Sequence, residues 1–176
     1  MIIIDTSIIS SLAKINKLKM MRSIFEDETI LIVNEVVNEL LVSKKKGYDF
    51  VDRILRVLAY EESELKEEKW ILKKYPDDKI SKMIDQLYDK YPYIHMCEIV
   101  SIAFAKQNNA TLLIDDRRAL QVAKKEKIET YTLPALILYS KEIEIIKMNE
   151  VKEIIKLLEL KDYYKFQKDV KKELLK

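Results

Sequence analysis

The stretch Ile2-Ile3-Ile4-Asp5-Thr6-Ser7 constrains this chain more than any other. Three consecutive β-branched apolar residues suit a strand covered on both faces, as in the interior of a parallel sheet. The run stops at an acid followed by two hydroxyls. A buried strand carries no charge along its length, so a carboxylate first becomes tolerable at its carboxyl end. In open α/β sheets that edge is where ligands bind. Thr111-Leu112-Leu113-Ile114 followed by Asp115-Asp116 repeats the pattern. If the two strands are neighbours, their carboxylates gather at one sheet edge and repel one another. A hard divalent cation held between them resolves that repulsion.

The rest of the composition narrows the class. A chain of 176 residues, 48% hydrophobic and 35% charged, can bury one substantial core. No apolar run reaches the length of a bilayer-spanning helix, and no basic region precedes an apolar segment as in a signal peptide. A single cysteine excludes an internal disulfide and fits a reducing compartment, so a cytoplasmic location is expected. The formal charge of +2 neither requires nor excludes a nucleic-acid partner. One glycine leaves no Gly-rich phosphate loop, which excludes the dinucleotide-binding and P-loop signatures.

Taken in order, apolar spacing predicts a helix from about Ile8 to Met20, then a second strand at Thr29–Val33. The next helix carries Val36, Val37, Leu40 and Leu41, with Glu35 and Glu39 four apart on its flank. From Asp49 to about Tyr91 the pattern reads as wholly helical, with 61–94 an inserted helical segment. A helix begins near His95 and places Glu98 in its first turn, where the helix dipole alone justifies a carboxylate. After the strand at 111–114 come a helix from Ala119, an edge strand at 128–131 and a helix capped by Thr132. Val151, Ile154, Ile155 and Leu158 mark another amphipathic helix, and the tail from Asp162 has a weaker pattern. The expected fold class is three-layer α/β/α with a mostly parallel central sheet over residues 1–145. Residues 146–176 are expected as a C-terminal helical extension packed on the same domain.

IIIDTSII at the start, VVNELL after the second strand, CEIVSIAFA and LLIDDRRALQVA together resemble the PIN domain. They are most similar to the small ribonucleases that act as toxins in toxin–antitoxin pairs. The resemblance covers about 1–60 and 95–145. It implies a PIN-like fold and a metal-dependent endoribonuclease, with Asp5, Glu39, Glu98 and Asp116 as the catalytic acids. Asp115 joins Asp5, Glu98 and Asp116 as a metal ligand, while Ser7 or Thr6 contributes a hydroxyl near the metal and both are expected to bind substrate. The implied partners are RNA, a small antitoxin protein and a second copy of this chain, with no membrane. The alternative is a catalytically silent PIN-like module that binds RNA or protein. Where the family often has glycine before the helical acid, this chain has Cys97.

Oxygen ligands without histidine suit Mg²⁺ or Mn²⁺, which can activate water and neutralise a phosphodiester. Zinc is disfavoured, because one Cys and one His cannot build its usual shell. Arg117 and Arg118 can hold RNA phosphates, or simply begin a solvated helix. His95 reads more readily as a helix-end residue, Cys97 as a small hydrophobe, and Tyr91 and Tyr93 as packing groups. A third reading makes the acids mere helix caps on an unrelated scaffold.

Overall fold

The computed structural model describes all 176 residues. Strand β1 (Ile2–Ile4) is buried at every position and leads through Asp5 into α1 (Thr6–Lys14). The single helix expected over residues 8–20 is two, because α2 (Leu18–Ile24) follows a break at Asn16. Asn16 has φ 59°, a left-handed conformation that asparagine tolerates better than most residues. Then come β2 (Ile30–Val33), also buried throughout, α3 (Asn34–Lys45) and α4 (Phe50–Arg56).

The segment expected to be wholly helical is not. It contains β3 (Leu58–Ala59), a 3-10 turn (Glu62–Glu64) and β4 (Ile71–Lys74), and only then α5 (Asp78–Lys90). Residues 61–94 are therefore not a helical insertion: they supply a strand with partners on both sides. Ile71 pairs with Ile30 of β2 and with Leu58 of β3. A short apolar run such as Trp70-Ile71-Leu72 has no periodicity that separates strand from helix, so pairing decided it.

The remainder runs α6 (Met96–Asn108), β5 (Thr111–Leu113), α7 (Arg117–Lys125), β6 (Thr130–Tyr131), α8 (Leu133–Glu142), α9 (Met148–Lys161) and α10 (Lys168–Leu174). The six strands are all parallel in the order β3-β4-β2-β1-β5-β6. Ile2 pairs with both Ile30 and Thr111, so the strands starting near residues 1, 29 and 111 are neighbours, as expected. Right-handed crossovers put α1 to α4 on one face and α5 to α7 on the other. One continuous cluster of 53 buried hydrophobic residues extends from Ile2 to Leu174.

Two polar clamps tie outlying elements to this core. Glu126, whose side chain is 6% exposed, accepts hydrogen bonds from Lys90, Tyr91 and Lys106. It thereby joins α5, α6 and the end of α7. Asp162 accepts from Ser11 and Lys14 of α1 and anchors the start of the C-terminal segment.

Candidate active site

Parallel pairing sets every strand's carboxyl end at one edge, and the order β2-β1-β5 brings the acids expected there together. Asp5, Thr6, Ser7, Glu39, Glu98, Asp115 and Asp116 line one cleft of about 340 Å³ with no hydrophobic residue among them. Arg117 and Arg118 are not in its lining. Arg117 lines a neighbouring apolar cavity that also touches Asp115. Arg118 lines a second, smaller hollow with Tyr93, His95, Glu98 and Asp116.

Asp5 is the centre of the arrangement and is 2% exposed. Its backbone N–H donates to the Leu113 carbonyl of β5 (3.0 Å). Its extended conformation makes it the N-cap of α1. Oδ2 accepts from the Ser7 N–H (3.2 Å) and the Ser7 hydroxyl (2.9 Å), while Oδ1 is buried without a partner. Burial pushes the Asp5 carboxyl above its ordinary range, against the Ser7 hydrogen bonds, and the charge of Glu39 adds to the rise. Ser7 also stitches two strand ends, since its Oγ accepts from the Asp115 N–H (3.4 Å).

Glu98 enters from the first turn of α6. Burial raises its carboxyl to about 7, and the negative charges of Asp5 and Asp116 contribute to the rise. Its Oε2 is likewise buried and unpartnered. Glu39 projects from α3 at the exposed rim, where its Oε2 accepts the Thr6 hydroxyl hydrogen (2.6 Å).

The two aspartates after β5 are differently engaged. Asp116 caps α7, accepting at Oδ1 from the N–H groups of Arg118 (2.9 Å) and Ala119 (2.8 Å). The Oδ1 of Asp115 accepts from the Leu133 N–H at the start of α8 (3.1 Å). Asp115 also faces Tyr164, whose hydroxyl is pushed far above its ordinary value by burial and then by the Asp115 charge. Tyr164 was invisible to sequence reading as a site neighbour, because its only signal is a weak aromatic pattern about fifty residues away. His95, read as a helix-end residue, does begin α6 but also lines the flank beside Glu98. Cys97 is half-buried and its thiol is pushed up to about 12, by burial first and then by Glu39, which favours the uncharged thiol in the metal-free protein.

Both caps show that the helix-capping reading of Asp5 and Asp116 holds as far as it goes. Capping does not account for the orphaned oxygens of Asp5 and Glu98. Buried charge without a partner is costly, and an all-oxygen lining is the chemistry a hard divalent ion takes. The side chains do not form a ready-made cage: no group of three His, Cys, Asp or Glu is disposed to hold an ion as it stands. Mg²⁺ does not demand one, since it keeps several waters and binds through one or two carboxylates.

An all-parallel α/β/α sheet with an acid cleft at its carboxyl edge defines a class whose ligands meet the strand ends. A family model described as a PIN domain matches residues 1–176, and the chain belongs to that family. PIN domains are typically nucleases, generally use divalent metal ions and bind RNA. No curated protein matches the chain. No helix is long and apolar enough to cross a membrane.

Proposed function

We propose that this protein is a Mg²⁺- or Mn²⁺-dependent endoribonuclease that hydrolyses RNA phosphodiester bonds over the acid cleft. One observation carries the reading. Two buried carboxylate oxygens, Asp5 Oδ1 and Glu98 Oε2, come from residues lining the same cleft and have no partner. Asp5, Glu98 and Asp116 would hold the metal. When bound, it supplies a cation against the phosphate charge and an acidified water. Ser7 fixes the rotamer of Asp5. Thr6 fixes Glu39 at the rim, where a carboxylate is placed to orient a water and accept its proton. Asp115 is a further ligand, and through the hydrogen bond its Oδ1 accepts from the Leu133 N–H it also ties the cleft to α8. Arg118 and Arg117, each lining a hollow that adjoins the cleft, suit phosphates neighbouring the one being cut.

The reading extends to the toxin of a toxin–antitoxin pair, working in the cytoplasm with a small antitoxin protein and a second copy of the chain as partners. Motif similarity is what supports that extension.

Cleavage of a labelled single-stranded RNA pool, with Mg²⁺, with Mn²⁺ and with EDTA, tests the activity. Wild type should cut with either metal and not with EDTA, and Asp5→Asn should lose at least about 100-fold. Losses at Asp5 and Glu98 should not add, because the ligands act as one unit. Equal cutting by wild type and Asp5→Asn would sink the assignment. The alternative is a silent PIN-like module that binds RNA or protein. RNA retention by a folded wild type that cuts nothing with either metal would select it.

A further inference from the structure

Asp115 forms a wall common to the acid cleft and to a second cavity of about 660 Å³, a volume typical of small-ligand sites. From the body of the protein this cavity is lined by Leu120 of α7 and by Pro134, Ala135 and Leu138 of α8. From the C-terminal segment it is lined by Tyr164 and Phe166, whose ring centroids lie 4.6 Å apart at an interplanar angle of 56°. At its boundary stand two cations, Arg117 and Lys165, and two acids, Asp115 and Glu173, all but Asp115 exposed. The two sites therefore meet within three residues of chain: Asp115 belongs to both, Asp116 to the acid cleft and Arg117 to the apolar cavity.

An apolar hollow with aromatic walls and two exposed cations at its edge has room for a nucleotide, which is a flat neutral ring flanked by phosphates. Proteins that recognise single-stranded RNA splay bases out and stack them on aromatic side chains. We propose that the cavity is a nucleobase subsite. It takes the base adjacent to the phosphodiester held over the acid cleft, with Tyr164 and Phe166 against the ring and Arg117 and Lys165 on neighbouring phosphates. The proposal rests on the RNA-cleaving reading and names the part of the substrate that the cleft itself leaves unread. Selectivity for a base then comes from the C-terminal segment, which the acids do not need for chemistry.

The test is binding of the four ribonucleoside 5′-monophosphates to the full chain in EDTA, followed by NMR titration, with ribose 5-phosphate as the baseless control. At least one nucleotide should bind about fivefold or more tighter than ribose 5-phosphate, the lower end of base–aromatic stacking. Ala135→Trp, which fills the cavity, should erase that difference. Phe166→Ala should reduce it, and circular dichroism should show both variants folded. Asp5→Asn should keep it, because the base does not touch that residue. Nucleotides that bind no better than ribose 5-phosphate overturn the proposal and leave the cavity to a protein segment. So does a base preference that survives Ala135→Trp. Failure of the cleavage reading looks different: base preference intact, sensitive to Ala135→Trp, and no RNA cut with either metal.

Discussion

At the scale of single residues, the site is a set of carboxyl groups held where water cannot fully solvate them. Burial raises Glu98 to about 7, from an ordinary value near 4.5, so in the metal-free protein the folded state binds its proton more tightly than the unfolded one. The unfolded state then carries fewer protons between those two values, and stability must fall as pH rises through that window. Asp5 shifts in the same direction. Thermal melts in EDTA from pH 4.5 to 8 should show wild type losing stability toward pH 7, and Glu98→Gln losing less. Identical slopes for the two proteins would mean that Glu98 is better solvated than its position indicates.

Among the elements, β4 is the one that changes the reading of the chain. Its residues Ile71 and Leu72 are almost wholly buried, and it widens the sheet on the side away from the acids. An isoleucine on the flank of a solvated helix would lose little on truncation. One at the centre of a parallel ladder loses its transfer energy and leaves a cavity. Ile71→Ala should therefore cost about 2–5 kcal/mol, read as a lower denaturation midpoint at unchanged slope. A cost below about 1 kcal/mol would place Ile71 outside the core.

For the whole molecule, the metal is expected to act as a staple. The start of α1, the middle of α3, the first turn of α6 and the turn after β5 meet at the cleft, so an ion bound there stabilises the fold and not the unfolded chain. At about 100 times its dissociation constant a ligand adds about 2.7 kcal/mol, which for a chain of this length is about 5–11 °C in Tm. Mn²⁺ should raise the melting temperature in a concentration-dependent way, and Asp5→Asn should abolish most of the rise. An equal rise in both proteins would locate the bound ion elsewhere.

Local patterning determined a good deal by itself. Continuous apolar runs at 2–4, 30–33 and 112–114 specify strands buried on both faces, because no alternation is left for a solvated side. The acids that end the first and third runs mark the edge where charge becomes tolerable, and the parallel order of the three strands follows from helices long enough to cross over between them. What depended on the tertiary structure was adjacency. That Ile2 lies between Ile30 and Thr111, and so that Asp5 meets Asp116 across more than a hundred residues, is set by strand pairing throughout the sheet. The same is true of β4, whose apolar core is too short to declare its period, and of Tyr164 beside Asp115. Hydrophobicity and turn chemistry are properties of neighbouring residues and can be read along the chain. Contacts between distant segments are chosen by the closure of one shared core, and only the folded molecule displays them.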